Sequence, residues 1–209
     1  VGSFVNPKAV PTMADTSEVF AGITKKPGVT YRGLSLNTRG VERAMTTPNI
    51  DLDGQLHITA SEVFVRRNTN RSIDDTFKQL PEWIALYKKA GVPTDGVTVM
   101  AVFGCNFEGD IPQQRIIDML ARTHDILAEH GEALTSVNLA DTMGWANPEQ
   151  IKRVTGAVMQ RWPTMQIKLH LHDTRGLAMA NAYAALEMGV AEFDGSIGGL
   201  GGCPFAGHK

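Results

Sequence analysis

The chain has 209 residues, 43% of them hydrophobic and 20% charged, with a formal net charge of −2. That composition is ordinary for a globular domain with a full core. The weak net charge does not point to nucleic acid or an anionic membrane as a main partner, and no apolar run reaches the eighteen or so residues of a spanning helix. Two cysteines, Cys105 and Cys203, make no disulfide framework. A reducing compartment is expected: the cytoplasm, or the mitochondrial matrix if a transit peptide preceded Val1.

Residues 1–5 read as the tail of a strand. Asp15 or Thr16 can cap a short helix carrying Val19, Phe20 and Ile23, stopped by Pro27-Gly28. Residues 29–37 read as a strand, 39–45 as a short helix and 55–62 as a strand ending in Ala60-Ser61-Glu62, with a loop beyond it. Ser72-x-x-Asp75 then resembles a capping box. Ile73, Phe77, Leu80, Ile84 and Tyr87 follow at helical spacing, and Pro81 should kink that helix. Residues 97–105 form a strongly apolar strand, and Pro112 suits the first turn of the next helix. Residues 134–141 read as a strand, a helix capped by Asn147 runs to Arg161, and 166–172 is again a strand. A helix over 176–188 and a strand over 192–197 complete the series.

Seven strands with a helix between each consecutive pair imply a parallel sheet with right-handed crossovers. The count exceeds a flavodoxin-like or Rossmann sheet. It points to a (β/α)₈ TIM barrel without its first β/α unit and final helix, with residues 1–209 forming a single catalytic domain incomplete at both ends.

In such barrels the chemistry sits at the C-terminal ends of the strands. Those ends carry Ser3, Asn37, Glu62, Cys105, Asp141, and then His170 and His172. Residues two apart on a strand share a face, so His170 and His172 present two imidazoles side by side. They are either half of a metal site or two core histidines satisfied by hydrogen bonds. Strand-end Glu62 and Asp141 either touch the site or cap the following helix. Cys203 lies in Gly198-Gly-Leu-Gly-Gly-Cys-Pro204, where glycines let backbone approach a ligand. Beside a metal such a thiol can act as an acid or base, whereas Cys105 reads as structural. Arg66, Arg67 and Arg71, in the loop after Glu62, are either solvated or a clamp for coenzyme A phosphates.

Several motifs then appear in order. They are Ser3-Phe-Val-x-Pro7-Lys8, Ala60-Ser-Glu62, Asn68-x-Asn70-x-Ser72, Gly104-Cys-x-Phe-Glu-Gly109, Leu139-Ala-Asp-Thr-Met-Gly144, His170-x-His-Asp-Thr174 and Gly199-Leu-Gly-Gly-Cys-Pro204. Together they resemble the 3-hydroxy-3-methylglutaryl-CoA lyases, among the metal-dependent lyase and aldolase barrels. The resemblance implies a divalent cation, Mg²⁺ or Mn²⁺. It implies cleavage of an acyl-CoA substrate, hydroxymethylglutaryl-CoA, to acetyl-CoA and acetoacetate, and a homodimer. By the same resemblance His170 and His172 are metal ligands, Cys203 is the catalytic cysteine and His170 is a second candidate for proton transfer. Ser3 and Asp141 match pocket-lining positions. The family's Arg-Asp pair on the first strand, and an asparagine ligand beyond the cysteine loop, have no matching positions in 1–209. Asn138, where many members have serine, and Arg175, in place of a frequent aromatic, flank the expected pocket. They motivate a related thioester such as citramalyl-CoA as an alternative substrate. A condensing synthase of the same superfamily and an inactive barrel are the remaining alternatives.

Overall fold

The computed structural model describes residues 2–196. Strand β1, Gly2–Ser3, pairs in parallel with β2, Gly33–Leu34. Between them lies α1, Thr16–Gly22. Helix α2, Thr38–Met45, begins where the Asn37 side chain accepts from Gly40 N–H, satisfying one of the four free donors of a helix start. A small core of Phe4, Phe20 and Ala44 joins these pieces.

Five strands then form one parallel sheet in sequential order: β3 Gln55–Thr59, β4 Gly96–Met100, β5 Ser136–Asp141, β6 Gln166–Leu171 and β7 Glu192–Phe193. The crossovers are α4 Ile73–Lys89, α5 Gln113–Glu129, α6 Pro148–Arg161 and α7 Ala178–Glu187. Capping boxes start two of them, Ser72 with Asp75 on α4 and Asn147 with Gln150 on α6. This is the sequential parallel β/α order of a (β/α)₈ barrel. Among the described residues it is an open arc of two ladders, not a closed ring.

Alternation sorts the strands into two faces. Leu56, Ile58, Val97, Val99, Val137, Leu139 and Leu169 are fully buried against the helices. Their register partners one residue along, His57, Thr98, Asn138 and Lys168, line a concavity of about 350 Å³.

Several elements differ from the sequence expectation. The strand expected over 29–37 contracts to Gly33–Leu34, because Tyr31 N–H is drawn to the Asp51 carboxylate and Asn37 is taken as a cap. The strand over 97–105 ends at Met100. There Ala101 turns into the left-handed region, φ 56°, and donates its N–H to Thr142 Oγ1 at 2.9 Å. The loop expected after Glu62 is instead helix α3, Glu62–Thr69, capped by the Ser61 hydroxyl and closed by left-handed Asn70. Pro81 does not break α4, which runs through it while burying Phe77, Leu80, Trp83, Ile84 and Tyr87; that burial outweighs one missing backbone bond. Pro112 caps α5 from outside, one residue earlier than expected. Helix α7 begins at Ala178, and β7 ends at Phe193. The rest of the strand expected to 197 includes Ile197, outside the described residues.

Candidate functional site at the carboxyl ends of the strands

His170 stands near the end of β6 and His172 just beyond it. Their Nε2 atoms approach to 2.9 Å and their rings lie 5.0 Å apart, tilted by 48°. The expected convergence of the two imidazoles is what the structure builds. A third group, Asp194, closes the constellation from the neighbouring strand. Its Oδ2 lies 2.8 Å from His170 Nδ1 and accepts from Asn138 Nδ2 at 3.1 Å. The hydrogen bond from His170 holds the Asp194 carboxyl below its ordinary range against partial burial, with further help from Asn138 and the charges of His170 and Lys168. Lys168 itself pairs with Glu192 at 2.9 Å.

Asp194 was absent from the sequence expectation. Its signal was slight: a lone carboxylate within the strand expected over 192–197. Only the β6–β7 register, Lys168 opposite Glu192 and Leu169 opposite Phe193, sets it beside His170.

The other expected site residues are placed differently. Asp141 is buried, and its two oxygens accept from Trp145 N–H at 2.7 Å and Ala146 N–H at 3.1 Å. It shapes the turn after β5. Burial pushes its carboxyl up to about 6, against the pull of those two N–H donors. Arg175 braces the same turn, donating to the carbonyls of Met143 and Gly144 at 2.9 and 2.7 Å and lying over the Trp145 ring. Glu62 is the first residue of α3 rather than a strand end. It accepts from Ile73 N–H at 2.8 Å and pairs with Arg66 at 2.6 Å, joining α3 to α4.

Arg66 and Arg67 are helical, which corrects their loop assignment. Arg67 stacks on Phe107, 4.2 Å from the ring centre. Ser3 lies in the separate β1–β2 ladder, its N–H and carbonyl both bonded to Thr16 Oγ1. Cys105 is buried, bridges to Gly109 and accepts from the Ser61 hydroxyl at 3.0 Å, as a structural residue does. Cys203 and its glycine loop lie outside the described residues.

Two imidazole nitrogens 2.9 Å apart are spaced as neighbouring ligands would be at about 2.1 Å from one ion and at about a right angle. The pair therefore fits two positions of a divalent shell. Among the described residues no group of three or more His, Cys, Asp or Glu side chains gathers to complete it. No helix among them is long and apolar enough to cross a membrane.

A sequential parallel β/α arc with convergent polar side chains at the carboxyl ends of its strands defines a chain of the (β/α)₈ barrel class, with its site where that class places ligands. Residues 8–207 match the HMGL-like family, and the chain belongs to that family. It is 40% identical to the hydroxymethylglutaryl-CoA lyase YngG of Bacillus subtilis, over 99% of this chain and 66% of that protein. It is 39% identical to a 3-hydroxy-3-isohexenylglutaryl-CoA/hydroxy-methylglutaryl-CoA lyase of Pseudomonas aeruginosa, over 99% of this chain and 66% of that one. A solved HMG-CoA lyase of A. baumannii, in complex with coenzyme A and 3-methylmalate, superposes with a TM-score of 0.85 at 37% identity, covering 99% of this chain and 64% of that one. The chain thus spans just under two thirds of the length of these relatives.

Proposed function

We propose that the protein carrying this chain is a metal-dependent carbon–carbon lyase that cleaves 3-hydroxy-3-methylglutaryl-CoA to acetyl-CoA and acetoacetate. The observation that carries the reading is the convergence of His170 and His172 Nε2 at the end of β6, in a chain that belongs to the HMGL-like family. His170 and His172 would hold a divalent cation, Mg²⁺ or Mn²⁺. Such a cation supplies Lewis-acid polarisation of the substrate's tertiary hydroxyl and of a nearby carboxylate oxygen.

In this reading the tertiary hydroxyl loses its proton to solvent, because His170, with Nδ1 facing Asp194 and Nε2 turned to the ligand position, has no nitrogen left to take it. The bond between the carbinol carbon and the carbon next to the thioester then breaks. The carbinol carbon becomes the ketone of acetoacetate, and the electron pair leaves on the thioester enolate. A proton added to the enolate carbon gives acetyl-CoA, so no co-reactant is consumed. Cys203 is the proposed donor of that proton, supported by its glycine-rich setting in the sequence. Arg67 and Arg71 are the candidates to meet coenzyme A phosphates, since Arg66 is already paired with Glu62. A reducing compartment, cytoplasm or mitochondrial matrix, suits the free thiol of Cys105.

Asn138 and Arg175 had motivated a different acyl group. Asn138 turns its amide to Asp194 and Arg175 turns its guanidinium to two backbone carbonyls, so that motive for another substrate weakens. The test is acetyl-CoA release from hydroxymethylglutaryl-CoA by the full-length protein, with Mn²⁺ and then with excess chelator. Fast, chelator-sensitive release is expected. Folded, metal-loaded protein that releases none would overturn the proposal.

A further inference from the structure

We propose that Asp194 is a positioning residue. It accepts the Nδ1–H of His170 and so leaves Nε2 of that ring unprotonated and aimed at the ligand position it shares with His172. The inference rests on the metal-site reading above and goes one residue beyond it.

Three observations carry it. First, the contact is built by the sheet. Leu169 and Phe193 are register partners, and Asp194 N–H donates to the Leu169 carbonyl at 3.0 Å, so the carboxylate is delivered by strand pairing, not by a free loop. Second, the carboxylate is held from two sides. Oδ2 receives Asn138 Nδ2 at 3.1 Å as well as facing His170 Nδ1 at 2.8 Å. Among the described residues the buried Asn138 Oδ1 has no partner. The amide therefore gains its bond only with NH₂ toward Asp194, since the flipped form sets oxygen against carboxylate. Third, the imidazole is pinned at both ends, by Asp194 at Nδ1 and by His172 at Nε2, 2.9 Å away.

The tautomer follows from donor and acceptor inventory. An ionised carboxylate only accepts, so Nδ1 must carry the proton. A neutral imidazole protonated at Nδ1 has its lone pair on Nε2, the form a metal requires. A histidine ligand backed by a carboxylate in this way typically loses about 10–100-fold in metal affinity when the carboxylate is removed. Asn138 acts one step further out, through Asp194.

The experiment uses the full-length protein and the variants Asp194→Ala, Asp194→Asn and Asn138→Ala. Mn²⁺ affinity is measured by titration of metal-free protein. The His170 tautomer is read in the metal-free protein from long-range ¹H–¹⁵N spectra, with the signal assigned by its loss in His170→Gln. Thermal unfolding checks the fold. Wild type should show Nδ1–H and a bare Nε2. Asp194→Ala should weaken Mn²⁺ binding about 10–100-fold and shift the tautomer, with its unfolding temperature held. Asp194→Asn can still accept through its amide oxygen, so it should recover much of the affinity. Asn138→Ala should fall between wild type and Asp194→Ala.

Wild-type His170 protonated at Nε2, or unchanged Mn²⁺ affinity in Asp194→Ala, would overturn the proposal. Should Asp194→Ala fail to fold, the wild-type tautomer and the Asp194→Asn affinity decide it. Wild type that binds no Mn²⁺ at all would defeat the metal-dependent reading instead, while the tautomer signal would still rule on Asp194.

Discussion

The two faces of the five-stranded sheet are written in the same strands and obey opposite chemistry. The helix-facing residues Leu56, Ile58, Val97, Val99, Val137, Leu139 and Leu169 are apolar and closed to water. The opposite face carries His57, Thr98, Asn138, Lys168, His170, Glu192 and Asp194; there Lys168 pairs with Glu192, and Asp194 is bonded to both Asn138 and His170. Two carboxylates make the contrast sharpest. Asp141, buried in phase with the apolar face, is pushed up to about 6 by desolvation. Asp194, on the polar face, is held below its ordinary range by its hydrogen bond from His170. One face is built for cohesion and the other for placing charge, and a period of two separates them.

That division fails if the faces respond alike to mutation. The largest loss should come from Leu139→Ala, which empties a fully buried site and should cost about 2–5 kcal/mol in urea unfolding. A cost near that of a surface change would break the comparison.

Next is Asp141. Its raised folded value means that the native state holds a proton the unfolded chain has released. The stability this contributes is full below about pH 4 and is lost as pH rises through about 6. At 1.36 kcal/mol per unit the window amounts to about 2–3 kcal/mol. The free-energy difference between Asp141→Asn and wild type should therefore shift by that amount in the variant's favour from pH 4 to 7. Parallel curves would show that Asp141 does not titrate in that window.

Smaller still is Lys168→Met. Its ion pair with Glu192 is partly exposed and should be worth about 0.2–1 kcal/mol. Removing it should leave Mn²⁺ affinity within about threefold, since a partly solvated neighbouring charge perturbs the site only weakly. The smallest effect on stability should come from His172→Ala, about 0.5 kcal/mol or less, although Mn²⁺ affinity should fall by at least tenfold. A large stability loss there would make His172 a core histidine, the bland alternative that the sequence left open.

Much of the fold was legible because its signals are local. Ser72 with Asp75, and Asn147 by itself, announced two helix starts that the structure builds as capping boxes, the second completed by Gln150. The 3.6-residue spacing from Ile73 to Tyr87 outlined the buried face of α4. Helix α3 was missed, although the signal was present: Ser61 before Glu62 is a cap followed by an acidic first turn. Strand ends were read too long because the alternation continues into segments where tertiary partners claim the backbone, as Thr142 claims Ala101 N–H. In the site, the facing of His170 and His172 followed from spacing alone. The loop placement of Arg66 and Arg67 did not, because a helix replaced the expected loop, pairing Arg66 with Glu62 and setting Arg67 on Phe107.

By itself the sequence determined what depends on neighbours within a few residues: caps, the two-residue alternation of the strands, the strict β/α order and the shared face of His170 and His172. Only the tertiary structure decided which distant groups meet. Asp194 is 24 residues from His170 and 56 from Asn138. It joins them because strand register converts sequence separation into a few ångströms across the sheet. The same holds for Asp141, whose shift comes from how much water the packed turn excludes. No spacing along the chain encodes that quantity, because desolvation belongs to the assembled core.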